Sequence, residues 1–162
     1  NTLFLNTTGA EGTSTAVWNN TGPTSSVFTV GNAGVNNDTS TYIAYCFASV
    51  DGYSKFGSYE GNGNADGPFV YTGFRPAYIV IKCSSASGRS WIIKDSARDI
   101  DNVAGNTLLA DSNAAEYTSN TLIDIISNGF KPRDTSTSSN ADGSTYIYMA
   151  FAEQPFKYSN AR

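Results

Sequence analysis

The sequence predicts an all-β fold, a sandwich built from two quasi-repeated halves. Three observations lead there. Hydrophobic residues make up 40% of the chain and charged residues only 15%, with Ser, Thr, Asn and Gly dominating the rest. That profile suits short strands joined by turn-rich loops, and it suits helices poorly, because helices favour Ala, Leu, Glu and Lys. A strand pattern is also written twice, as "STYIAYCFA" at 40–48 and "STYIYMAFA" at 144–152. Between the copies, two further apolar runs flank a short Gly-containing connector, as in a hairpin. A length of 162 residues fits one domain, 1–162, large enough to bury most of its apolar surface.

The first copy covers about 1–55. It opens with "NTLFLNTTGAEGTSTAVWNN", which aligns with "NTLLADSNAAEYTSNTLIDI" from Asn106 onwards. Leu3 falls on Leu108, Glu11 on Glu116 and Phe28 on Phe130. Tyr42, Ile43, Phe47 and Ala48 fall on Tyr146, Ile147, Phe151 and Ala152. Trp18 aligns with Ile123 and is expected in the core. Side chains alternate faces along a strand. Ile43, Tyr45 and Phe47 therefore form one row of 40–48, and Tyr42, Ala44, Cys46 and Ala48 the other. Both rows are apolar or small, so 40–48 is expected as an interior strand.

The middle segment covers about 56–105. "GNGNADG" at 61–67 is a cluster of turn formers. A tight turn is the favoured reading. A calcium loop is not, because the EF-hand spacing is absent and only Asp66 supplies a carboxylate. "AYIVIKC" (77–83) and "SWIIKD" (90–95) are expected as a hairpin across "SSASGR", entered in extended conformation at Arg75-Pro76. "SARDIDNVAG" is expected as a loop or a short helical turn. The second copy, about 106–160, closes the chain with its strand at 144–152.

Charge and residue types exclude several functions. Net charge is −4, and the first 50 residues hold only Glu11 and Asp38 as charged groups. A general nucleic-acid binder needs a basic footprint that this chain lacks. No apolar run approaches the roughly 18 residues that cross a bilayer, so no membrane insertion is expected. The chain has no His, which removes Ser-His-Asp and Cys-His catalysis and, with only Cys46 and Cys83 as thiols, a zinc site. Neither a metal nor another cofactor is expected. The two cysteines read as free, buried thiols in strands, with a disulfide between them as the alternative. A glycosidase needs two carboxylates roughly 5–9.5 Å apart. Asp95, Asp99 and Asp101 are clustered enough to keep that chemistry as a lesser alternative, but no catalytic residue is assigned. If the module binds a ligand, Tyr59, Asn62, Asn64 and Asp66 are the best candidates. They pair a ring for stacking with amides and a carboxylate for hydroxyl groups, on a loop at the end of a stiff scaffold.

"YSKFGSYEGNGNADGPFVYTGFRPAYIVIK", "WIIKDSARD", "LLADSNAAE", "SNGFK" and "STYIYMAFAEQPFKYSNAR" together resemble a domain of tailed-bacteriophage structural proteins, frequent in marine phages. The resemblance runs in order along essentially the whole chain. It implies a concanavalin-like, jelly-roll β-sandwich on the virion surface or otherwise outside the cell, often in a tail fibre or receptor-binding protein. It implies no catalytic residues. The expectation is a non-enzymatic adhesion module for a host surface glycan. It would be displayed with other virion subunits and with copies of itself, as in the trimer usual for fibres. Capsid decoration or a self-assembling filament is the alternative, and a polysaccharide-degrading enzyme ranks below both. In relatives, strands equivalent to 76–95 precede the first copy, whereas this chain begins inside that copy. That departure predicts either a longer polypeptide or strands supplied by a neighbouring subunit.

Overall fold

A computed structural model describes residues 1–32, 34–37 and 39–156. One short helix, α1 (Thr15–Trp18), precedes eight strands: β1 (Ser54–Glu60), β2 (Val70–Tyr71), β3 (Pro76–Cys83), β4 (Ile92–Asp95), β5 (Ala104–Leu109), β6 (Tyr117–Ile126), β7 (Gly129–Pro132) and β8 (Thr145–Ala152). All neighbouring strands pair antiparallel, in the order β1-β8-β3-β4-β5-β6-β7-β2. The fold is therefore all-β, one large sheet curled nearly into a barrel. The curl brings the ring of Tyr59 on β1, at one edge, to 5.9 Å from Phe130 on β7, next to the other edge.

The core follows from the two-residue period of the strands. Ile79, Ile81 and Cys83 of β3, Ile92 of β4, and Tyr146, Tyr148 and Ala150 of β8 point inward. They meet Ile123 and Ile125 of β6 and Phe130 of β7. Burying each large side chain removes roughly 1.5–3 kcal/mol of unfavourable hydration. β3 is covered on its outer face as well, where Val80 and Lys82 are buried. The N-terminal segment supplies part of that cover. Glu11 N–H donates to Ser84 O, Gly88 N–H to Thr8 O, and the Trp91 indole to Phe4 O.

β5 is the corner of the sheet. It pairs with β4 through Leu108 and Leu109 and with β6 through Ala104, Asn106 and Thr107, with a register shift between Ala104 and Asn106. Such an irregularity bends a strand and leaves carbonyls without ladder partners. The buried Lys94 ammonium fills that gap, donating to Ala104 O (3.3 Å), Gly105 O (3.1 Å) and Thr107 Oγ1 (2.7 Å).

The middle segment folds as expected in its hairpin and its 61–67 turns, whereas β1, β2 and the start of β5 at Ala104 stand where no strand was expected. β3 and β4 form a hairpin with Ile81 opposite Ile92, 96–103 is a loop, and 61–67 is a chain of turns. Pro76 opens β3, a position that needs no ladder donor.

The first copy of the repeat departs from expectation. Its described residues carry only α1 and two isolated bridges, Thr2–Gly12 and Val50–Ser54, whereas the second copy carries β5 to β8. Residues 40–48 form no strand, and Ile43 (78%), Tyr45 (79%) and Phe47 (63%) are exposed. The physical reason is pairing: β8 lies between β1 and β3, while 40–48 has no strand beside it. Both cysteines are free, but Cys46 is exposed with its segment and only Cys83 is buried. Trp18 lies outside the core, half-buried on α1, with its ring edge-on to Phe28 at 6.3 Å. The last six residues of the chain, 157–162, lie outside the described residues.

Candidate functional site

The connections 61–69 (β1 to β2) and 133–144 (β7 to β8) lie together at one end of the sheet, because β1 pairs with β8 and β2 with β7. The first is a run of side-chain turns. Asn62 Oδ1 accepts from Asn64 N–H (3.0 Å), Asn64 Oδ1 accepts from Asp66 N–H (2.8 Å), and Asn62 Nδ2 donates to Asp66 O (3.0 Å). Asn and Asp favour such turns because a short side chain can mimic a backbone acceptor. Gly63 takes φ +63°, in the left-handed region. A Cβ on Gly61 would lie 2.3 Å from Ala141 O, so the two connections touch backbone to backbone.

Asn140 locks the pair. It is fully buried and uses both ends of its amide. Oδ1 accepts from Asn62 N–H, while Nδ2 donates to Asn64 O (2.7 Å) and Asp134 O (2.8 Å). Its own carbonyl accepts from Gly63 N–H. The buried Asp134 carboxylate gathers Leu122 N–H, Ser136 N–H and the Ser139 hydroxyl.

Of the sequence-predicted residues, Asn62, Asn64 and Asp66 share this exposed surface. Asp66 is held by Lys131 Nζ (2.6 Å) and Arg133 (3.2 Å), and the hydrogen bond and charge of Lys131 hold its carboxyl below the usual range. Arg133 also reaches Asp124 at 3.3 Å. Asn64 Nδ2 and Asp66 Oδ2 point to no partner among the described residues. An amide donor and a carboxylate acceptor are thus open to a ligand rich in hydroxyl groups.

Tyr59 stands apart from that surface. Its ring stacks on Tyr146 at 5.2 Å and meets Phe130 edge-on, and its hydroxyl donates to Ser139 O at 2.7 Å. Burial, with the charges of Tyr146 and Asp134 adding to it, pushes its pKa well above the ordinary value. The exposed rings beside the loop are instead Phe69 and Tyr71, 6.4 Å apart and edge-on. Sequence reasoning missed Asn140, although a signal was present: "NADG" occurs at 64–67 and again at 140–143.

Two of the clustered acids, Asp95 and Asp99, serve the backbone. Asp95 accepts from Ala97 and Arg98 N–H and pairs with the Arg98 guanidinium at 2.6 Å. Asp99 Oδ2 accepts from Asn106 N–H. Among the described residues no group of three or more Cys, Asp or Glu stands together as a metal site.

Residues 1–155 match the family model described as Domain of unknown function (DUF7483). The chain belongs to that family. No curated protein and no solved structure matches it. In this DUF7483 domain two lysines, Lys82 and Lys94, are fully buried. Lys82, like Lys94, ends on backbone oxygens, those of Thr8, Cys83 and Arg89, and burial lowers its pKa.

Proposed function

We propose that this chain is a non-enzymatic surface module of a tailed-phage virion, a tail-fibre or receptor-binding unit that adheres to a host glycan. The resemblance in sequence supports the virion setting. The observation that carries the adhesive role is the loop pair clamped by Asn140, which presents Asn64 and Asp66 on a scaffold that does not need to rearrange. Phe69 and Tyr71 supply the stacking surface that Tyr59, packed inside, does not. The finer architecture belongs to the same proposal: a concanavalin-like, jelly-roll sandwich of two related halves.

Purified protein is expected to bind host cells and a subset of sugars on a glycan array. Asn64→Ala, Asp66→Ala and Tyr71→Ala should each weaken that binding while the protein stays folded with an unchanged circular dichroism spectrum. A wild-type protein that binds neither cells nor any sugar would overturn the adhesive reading. Capsid decoration or filament assembly is the second reading, favoured by the exposed apolar segment 40–48. Imaging of labelled protein on particles separates a fibre tip from a capsid lattice. Release of sugar from host polysaccharide, abolished by Asp99→Asn, would replace both with an enzyme.

A further inference from the structure

β1 has an open edge. Ser54 exchanges both backbone hydrogen bonds with Val50, so its N–H and C=O point away from β8. In an antiparallel ladder this direction alternates along the strand. The backbone groups of Phe56, Ser58 and Glu60 therefore point away from β8 too. Of these, Phe56 N–H is taken by Ser49 Oγ. Phe56 C=O, both groups of Ser58 and Glu60 N–H have no partner among the described residues.

The segment leading to this edge is itself unpaired. Residues 41–47 have extended sequence character, no charge and no Pro. They make no backbone–backbone hydrogen bond among the described residues. Extended, uncharged apolar segments and open strand edges pair with other chains unless something blocks them. Among the described residues only Val50, at Ser54, and Ser49, at Phe56 N–H, take backbone groups of the β1 edge, and the rest of it stays open. The sequence "STYIAYCFA" is also nearly that of β8, and β8 already occupies the other edge of β1. β1 thus accepts a strand of this chemistry on its filled side. Its own 40–48 does not take the open side. The Ser54 hydroxyl bonds Ala48 O and Ser49 Oγ caps Phe56 N–H, which turns the chain off the edge at Ser49.

We infer that 40–48 is a donated strand that lies on the open β1 edge of a second copy of this chain. The face rule allows only registers two residues apart, and one of them uses the whole open edge from Phe56 to Glu60. In it Tyr42, Ala44 and Cys46 face inward as Tyr146, Tyr148 and Ala150 do, and Ile43, Tyr45 and Phe47 lie opposite Glu60, Ser58 and Phe56 of the other copy. Phe47 then meets Phe56 beside Met149, while Ile43 and Tyr45 lie beside Glu60 and Ser58. The inference does not depend on any glycan.

The test uses Tyr45→Cys with Ser58→Cys in a Cys46→Ser background; Tyr45 is exposed, Ser58 is at the surface, and the remaining Cys83 is buried. Mild oxidation is expected to give disulfide-linked species of two or more chains, while each single-cysteine variant stays unlinked. The wild-type chain should be at least dimeric by light scattering, and Tyr45→Glu should return it to monomer with an unchanged circular dichroism spectrum. A disulfide formed between positions 45 and 58 inside a monomer would show that the segment closes on its own β1. That result, or a wild-type chain that stays monomeric, overturns the inference.

Discussion

Replacing Lys94 with Met should remove a specific alkaline stabilisation. Lys94 is fully buried (0% exposed), and its ammonium is bonded to Ala104 O, Gly105 O and Thr107 Oγ1. Burial is the largest influence and lowers its pKa from 10.5 to about 8, with the charges of Asp99 and Asp134 opposing the fall. A folded-state pKa below the unfolded one means that the native state binds fewer protons between the two values. Stability contributed by Lys94 therefore rises with pH through that window. Relative to pH 7, the linkage relation gives a gain of about 1.4 kcal/mol at pH 9 and about 2.5 kcal/mol at pH 10. Tyr59, Tyr146 and Tyr148, pushed up by burial, act with the opposite sign, stabilising below about pH 10 and losing that contribution above it. Those groups are common to both proteins and cancel in the difference. At pH 7 two effects oppose each other in Lys94→Met: relief from burying a charge, and about 1–3 kcal/mol for each carbonyl left without a donor. The decisive quantity is therefore the slope. Urea unfolding of both proteins at pH 7, 8, 9 and 10 should show wild type gaining about 2.5 kcal/mol on Lys94→Met across the range. A constant difference, or one that shrinks, would refute the assignment of a charged, desolvated amine at neutral pH.

Asn140→Ala should destabilise by about 2–4 kcal/mol in urea, because Asn62 N–H, Asn64 O and Asp134 O lose a buried partner together. Amide exchange should then speed up in 61–67 before it does in β3, and uniform exchange would speak against a local clamp. Tyr59→Phe should cost about 1 kcal/mol for the bond to Ser139 O, and Tyr59→Ala about 3–5 kcal/mol. Stable Tyr59→Ala protein that no longer binds host cells would instead restore Tyr59 as a contact residue. In the Tyr45→Glu monomer an aromatic disulfide reagent should label one thiol, Cys46, with Cys83 reacting only after unfolding; two fast thiols would contradict the packing of β3.

Much of the fold was legible because local rules were enough. The β3–β4 hairpin needed only apolar alternation and a short Gly connector. The 61–67 turns needed only Asn, Asp and Gly at the right spacing. What escaped was decided by partners far along the chain. Lys94 reads as a surface residue in "IIKD", yet the carbonyls freed at the β5 corner draw it inside. Asn140 reads as a loop residue, and only the crossing of two connections makes it buried. Tyr59 sits next to a polar loop in sequence, but strand alternation places its ring among Tyr146, Tyr148 and Phe130.

The two near-copies make the limit physical. Tyr146 is fully buried and Tyr42 is half exposed, although "STYI" surrounds both. Side-chain pattern fixes which faces a strand offers, but burial depends on whether neighbouring strands flank it. β8 has β1 and β3 on its two sides, whereas 40–48 meets Phe56 and Phe151 through the ring of Phe47, at 5.9 and 6.2 Å. A sequence fit for an interior strand is left here with one aromatic foothold. On the inferred donated strand Tyr42 and Cys46 turn inward, and their burial, roughly 1.5–3 kcal/mol for a large apolar side chain, is the free energy that pairing would recover.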